Sequence, residues 1–188
     1  MKAVFGLGNP GLEYALTRHN VGFEVVDLYR KIHRIRTKGR IAESALVYSW
    51  NDLLLVKPMT FMNESGTAVE GVLSRHRIAP KDALVIYDDL DFPIGRVRLL
   101  AAGGPGSHKG MTSVLERLGT EGIPRLRIGI EVEERTAAGR DYVLDRFTPQ
   151  EWQRVSPALE RAAAAIDLFR NEGIDAAMTW VNQKPDLL

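Results

Sequence analysis

Two segments near the amino terminus combine residue types suited to polar chemistry. An apolar run, Ala3–Phe5, feeds Gly6-Leu7-Gly8-Asn9-Pro10-Gly11, and Thr17-Arg18-His19-Asn20 follows shortly after. Glycines in such a turn permit positive φ and let backbone amides approach a ligand closely. Asn9, His19 and Asn20 then place two amides and an imidazole near one another in sequence, with no cysteine or metal-type cluster beside them. That set suits attack on a carbonyl or phosphate near neutral pH, because an unperturbed imidazole titrates at about 6.5 and can act as a general base.

Two further segments can meet it. Lys57-Pro58-Met59-Thr60-Phe61-Met62-Asn63-Glu64-Ser65-Gly66 follows an expected strand and opens an expected helix. Asn63 therefore falls near a strand's carboxyl end, where open α/β sheets form their ligand crevice. The alternative for Asn63 is a helix cap. Val85-Ile86-Tyr87-Asp88-Asp89-Leu90-Asp91 brings Asp88 to the end of another buried strand. A carboxylate there can hold a histidine in one tautomer; the alternative is a solvated acidic turn.

The elements that must position these residues alternate. Met1–Phe5, Ser44–Trp50, Leu53–Val56, Ala83–Tyr87, Arg96–Leu100 and Leu126–Val132 read as strands, several of them continuous apolar runs suited to a buried sheet. Asn51-Asp52 reads as a two-residue hairpin loop. Helical periodicity runs through Gly22–His33, Ser65–Arg75, Gly110–Leu118, Ser156–Phe169 and Ile174–Val181. Thr148-Pro149-Gln150-Glu151 has capping-box spacing, and Ser156-Pro157 offers a second start, which predicts a short helix followed by a long one. The expected fold is α/β: residues 1–188 as a single domain, with a mixed twisted sheet and helices on both faces.

Composition bounds the function. The 188 residues are 45% hydrophobic and 26% charged, ordinary for a soluble globular chain. There is no cysteine, so a disulfide framework and a thiol nucleophile are excluded, which fits a cytoplasmic location. No secretory signal or membrane-length apolar run is visible. With a net charge of +1, a nucleic-acid partner must be held by a local patch. Between Gly95 and Ile130, Arg96, Arg98, Lys109, Arg117, Arg125 and Arg127 outnumber Glu116 and Glu121. Arg125 and Arg127 alternate along a strand, so they are expected to share a face. Glycine-rich Ala101–Gly110 is expected to act as a mobile lid, with Asp141–Phe147 bordering the cleft.

Taken in order along the chain, these motifs resemble the bacterial peptidyl-tRNA hydrolase family. The match includes Gly6-Leu7-Gly8-Asn9-Pro10-Gly11, Tyr14, Thr17-Arg18-His19-Asn20 and Gly22, then Lys57-Pro58 and Thr60-Phe61-Met62-Asn63. It continues through Asp88-Asp89-Leu90-Asp91, Gly110, Arg125-Leu126-Arg127-Ile128-Gly129-Ile130 and Tyr142-Val143-Leu144 with Phe147. The resemblance implies hydrolysis of the ester joining a peptide to tRNA, without cofactor or metal, by a predominantly monomeric protein. It makes His19 the catalytic base and Asp88 the carboxylate that orients it. Asn9 and Asn63 become the principal substrate-binding amides, with Tyr14, Phe61 and Met62 as further contacts.

Two departures accompany the resemblance. Lys109 stands where relatives carry an asparagine that contacts substrate or a site water; it gives three donors and a charge but no acceptor, and contact with substrate or tRNA phosphate, folding away to solvent, and an effect on His19 are its alternatives. Arg127 matches one member of the family's phosphate clamp, while the other aligns at or near Leu100; Arg98 is the candidate replacement, a weaker hold on the tRNA end the alternative, and Arg125 a further tRNA contact.

Rival readings are weaker. Gly6–Gly11 satisfies G-x-G-x-x-G, but a dinucleotide fold expects an acid ending a second strand, and Asp27 lies in a helical stretch. No G-x-S-x-G elbow occurs, and His19, His33, His76 and His108 lack the ligand spacing of a zinc site. A non-catalytic RNA-binding relative is the alternative from another class; it has no need of an oriented base.

Overall fold

A computed structural model describes residues 1–132 and 139–183. Seven strands form one sheet: β1 (Lys2–Gly6), β2 (Arg40–Ala42), β3 (Ala45–Trp50), β4 (Leu53–Pro58), β5 (Ala83–Pro93), β6 (Val97–Leu100) and β7 (Arg125–Glu131). Their order is β2-β3-β4-β1-β5-β7-β6. The central pairs β4/β1, β1/β5 and β5/β7 are parallel, whereas the β2/β3, β3/β4 and β6/β7 pairs are antiparallel. Centre and edges differ in sequence accordingly: β1 and β4 are apolar on both faces, as a sheet covered on both sides requires.

Alternation along the strands feeds two cores. Ala3, Phe5, Val56, Val85 and Tyr87 pack under α2 (Ser65–His76) and α3 (Lys109–Leu118). Val4, Leu55, Leu84, Ile86, Leu126 and Ile128 face the other way. There they meet α1 (Val21–Ile32), α5 (Pro149–Glu172) and α6 (Ile174–Gln183).

Four elements differ from expectation. A short edge strand, β2, forms at Arg40–Ala42, where none was expected. β5 runs on to Pro93, so Asp88 and Asp89 lie within a strand, with a register shift between Asp89 and Pro93. A short helix, α4 (Gly139–Leu144), occupies part of the segment expected to border the cleft. The predicted short and long helices are one helix, α5, which runs through Pro157. Its turns on either side bury Val155, Ala158, Leu159 and Ala162 in the same core, while Pro157 faces solvent. The missing amide bond therefore falls on the wet side, where breaking the helix would gain nothing. The Thr148–Glu151 capping box forms as its spacing predicts.

Candidate active site

The glycine turn after β1 works mainly by close approach. A Cβ on Gly6 would lie 2.0 Å from the Gly22 carbonyl oxygen, so glycine at both positions lets α1 start directly against the strand. Of Gly6, Gly8 and Gly11, only Gly11 takes a positive φ, 118°. This tight junction places the turn Arg18–Asn20, and with it His19, over the end of the parallel centre of the sheet.

His19 Nδ1 lies 2.8 Å from Asp88 Oδ1, and Asp88 is 2% exposed. A carboxylate accepts, so the ring proton sits on Nδ1 and Nε2 keeps its lone pair, the arrangement a general base needs. Burial pushes the Asp88 carboxyl up. The hydrogen bonds of the two histidine rings beside it, and the charge the rings carry when protonated, outweigh burial and hold it well below the usual carboxylate range.

The second ring is His108, whose part in the site the sequence reading missed. Its Nε2 lies 3.0 Å from the same Asp88 oxygen, and its Nδ1 accepts from the Met111 amide at 3.1 Å. That acceptor role fixes its proton on Nε2. The spacing of an N-cap three residues before Met111, at the head of α3, is the local signal that marks His108. His19, Asp88 and His108 have ligand-type atoms within 4.8 Å of one another, among the described residues the one such group. With His108 Nδ1 taken by Met111 and its Nε2–H aimed at Asp88, the set reads as a hydrogen-bonded relay of orientation rather than a metal cage.

The amides tie two loops together. Asn20 Oδ1 accepts from the Asn9 amide at 2.8 Å, and Asn20 Nδ2 donates to the Asn9 carbonyl at 3.0 Å. Asn9 Oδ1 in turn accepts from the Met62 amide at 2.8 Å, which leaves its amide nitrogen as the donor on the cleft side. Asn63 lies in the exposed turn Met62–Glu64; Glu64, not Asn63, occupies the N-cap of α2. Its side chain is thus not spent on capping. Phe61, 57% exposed, and Tyr14 complete this wall.

Asn9, Tyr14, His19, Phe61, Met62, Asn63, Asp88 and His108 line one cleft of about 690 Å³, together with Lys109, Arg127, and Arg140, Val143 and Leu144 of α4. Lys109 is exposed at the first position of α3. Arg127 pairs with Asp89, lies 3.9 Å from Asp91 and stacks on Phe92 at 4.4 Å. Arg98 stands directly opposite Arg127 in the β6/β7 ladder and is exposed, so the two cations are cross-strand neighbours.

Arg125 does not join them. It is 1% exposed, opposite Leu100, and its guanidinium donates to the carbonyls of Gly103, Gly104, Glu121 and Ile123. Shared strand parity predicted a shared face, but the Ala101–His108 loop folds over that end of the strand and takes one guanidinium nitrogen, while the Glu121 and Ile123 carbonyls just before β7 take the others. The same bonds tie down the first half of the segment expected to be a mobile lid.

A profile of the peptidyl-tRNA hydrolase family matches residues 3–187. The chain belongs to this family. A peptidyl-tRNA hydrolase from Carboxydothermus hydrogenoformans is 44% identical over 190 residues, covering 97% of this chain and 99% of the relative. One from Pseudothermotoga lettingae is 41% identical, with 97% of each chain covered. The crystal structure of the Acinetobacter baumannii peptidyl-tRNA hydrolase superposes with a TM-score of 0.88 at 30% identity, covering 99% of this chain and 96% of that one. As a peptidyl-tRNA hydrolase family member the chain is an ester hydrolase, and the mixed sheet with helices on both faces is the family's fold. Among the described residues no helix is long and apolar enough to cross a membrane.

Proposed function

We propose that this chain cleaves the ester between peptide and tRNA, releasing tRNA for reuse, with His19 as general base. The observation that carries the mechanism is the His19–Asp88 bond: it fixes the tautomer and leaves Nε2 free at the cleft wall. A water in the cleft gives its proton to Nε2 as its oxygen attacks the ester carbonyl. The imidazolium, stabilised by the ionised Asp88, then returns the proton to the departing ribose oxygen.

Asn9 and Asn63 bind the peptide's carbonyl and amide groups without adding charge, and the amide nitrogen of Asn9 is placed to polarise the carbonyl. Tyr14, Phe61 and Met62 supply apolar contact with the peptide. Lys109, also on the cleft lining, supplies a cation toward the same substrate. Arg127 and Arg98 bind phosphate near the acceptor end, whereas Arg125 supports them indirectly by bracing the loop. The whole chain, residues 1–188, acts as one monomeric domain in the cytoplasm, and the set of residues requires no cofactor or metal.

A hydrolysis assay comparing N-blocked with free aminoacyl-tRNA tests this reading. Binding through peptide NH and C=O predicts much faster release from the N-blocked substrate. Equal rates on both, or no hydrolysis with retained tRNA binding, would favour a non-catalytic RNA-binding role.

A further inference from the structure

Between Asp27 and Glu43 the chain carries Arg30, Lys31, Arg34, Arg36, Lys38 and Arg40 and no acid. Six of the 25 Lys and Arg lie here, leaving 19 elsewhere against all 24 Asp and Glu, so this tract alone turns the net charge positive. We propose that it is a docking surface for the phosphate backbone of a structured RNA other than the tRNA whose end occupies the cleft.

Not all six cations count. Arg30 lies over the Tyr48 ring at 3.5 Å and 3.7 Å from Asp27, and with Lys31 it suits the carboxyl end of α1. Arg40 sits on the short edge strand β2, where a charge also discourages edge-to-edge pairing. Neither explanation covers Arg34, Arg36 and Lys38. These are exposed, in the connection between α1 and β2.

The connection is fixed in shape. Ile35 is buried in the core, its amide donates to the Arg30 carbonyl at 2.9 Å, and Arg34 takes a left-handed φ of 51°. Pinning Ile35 inward turns its neighbours Arg34 and Arg36 outward. The acids that bound the tract are already engaged: Asp27 with Lys57 at 2.6 Å, Glu43 with Arg75 at 3.0 Å. Among the described residues no carboxylate lies within ion-pair distance of Lys31, Arg34, Arg36, Lys38 or Arg40. A rigid, unneutralised row of cations is what a polyanion binds with release of counterions.

Position separates this surface from the cleft. α1 begins beside His19, and its 12 residues carry the chain about 18 Å away before the tract starts. β2 and β6 are opposite edges of the sheet, six strand spacings or roughly 29 Å apart. RNA held on Arg98 and Arg127 therefore lies at the other edge. An anionic membrane is the rival occupant, since Ile32 and Ile41 are exposed nearby. They stand at opposite ends of the tract and make no continuous apolar face.

The test is binding of an RNA duplex of about 16 base pairs, a length that spans one recognition face, with no acylated end. Fluorescence anisotropy is followed as salt is raised, using the full chain. Arg34→Gln/Arg36→Gln/Lys38→Gln/Arg40→Gln should weaken duplex binding at least roughly tenfold and flatten the log–log salt slope by about 3.6. Its thermal midpoint and its kcat/KM on peptidyl-tRNA should match wild type. Arg98→Gln/Arg127→Gln should keep duplex binding. Equal duplex affinity in the quadruple variant overturns the proposal. So does a rise in its KM for peptidyl-tRNA that parallels the duplex loss, which would give the tract to the substrate's own body. Binding to phosphatidylserine vesicles without duplex binding would assign it to a membrane. Hydrolysis is a separate readout, so failure of the proposed enzymatic reading would leave the duplex result standing.

Discussion

His108 Nε2 and Asp88 Oδ1 are 3.0 Å apart, and that oxygen is the one His19 also uses. The Met111 amide fixes the proton of His108 on the side facing Asp88, so the carboxylate is held from behind by a neutral donor. Asp88 then has one orientation to offer His19. The Tyr87 ring, 4.6 Å from the His108 ring, closes the back of this arrangement, and burial pushes its own hydroxyl up to about 12. Orientation of His19, the proposed base, thus depends on a chain of contacts running from α3 to the Arg18–Asn20 turn.

Removal of the base should cost rate and little stability. His19→Ala is expected to lose ~10²–10⁴ in kcat on peptidyl-tRNA, the range typical of a general base. Asp88→Asn should lose less, since an amide still holds the ring. A folded His19→Ala protein with wild-type kcat would remove His19 from the mechanism.

Acid should weaken the fold through Asp88. Its carboxyl is held below the ordinary range, so its contribution is complete above the usual carboxylate value of about 3.9 and is lost as pH falls from there toward the lower folded value. Glu151 acts in the same direction: burial raises it, but Arg18 and the Thr148 amide outweigh that. Urea midpoints at successive pH values below about 5 should therefore fall more steeply in wild type than in Asp88→Asn. Parallel curves would contradict the assignment.

Arg18 should matter for stability as well as rate. Next to His19 in sequence, it is 5% exposed and donates to both oxygens of Glu151, at 2.8 and 2.7 Å. It also donates to the Tyr142 carbonyl at 3.1 Å and stacks on the Tyr142 ring at 4.1 Å. The turn that carries His19 is thereby bolted to α4 and α5. Breaking a buried pair of this kind costs about 3 kcal/mol or more. Arg18→Met should lower the unfolding free energy by that order and slow hydrolysis, and denaturant melts with paired kinetics would show it. An unchanged melt would mean the pair contributes nothing.

Peptide and phosphate contacts should separate. Asn63→Ala is expected to impair cleavage while leaving the salt dependence of tRNA binding intact. Arg127→Ala should weaken tRNA binding and flatten its log–log salt slope by about 1, and matter less for a short substrate lacking the tRNA body. Identical salt slopes for the two variants would count against this division.

Chelation should leave hydrolysis unchanged, because the lone pair of His108 Nδ1 is engaged by Met111 and its other nitrogen presents a proton to Asp88. Loss of activity in EDTA with rescue by zinc would show instead that the three side chains rearrange around an ion.

Motif signatures and strong periodicity, read from the sequence alone, mark the side chains proposed for catalysis and the main elements of the fold. His19, Asn9 and Asn63 fall in turns and Asp88 within β5, at positions that follow from apolar runs in β1, β4 and β5, and these are local signals. The Thr148 cap was legible for the same reason, since all its partners lie within four residues. Tertiary structure decided what local spacing leaves open. Arg125 and Arg127 share strand parity, yet one is buried under the Gly103–Gly104 carbonyls and the other lines the cleft, because a loop covers only one end of β7. His108 looked isolated in a chain of scattered histidines, and only the pairing of β5 beside the head of α3 brings it to Asp88. Pro157 reads as a helix boundary until the common core on both sides of it is seen to hold the helix together. In each case the deciding interaction joins residues far apart in the chain, so its energy is absent from any short window of sequence.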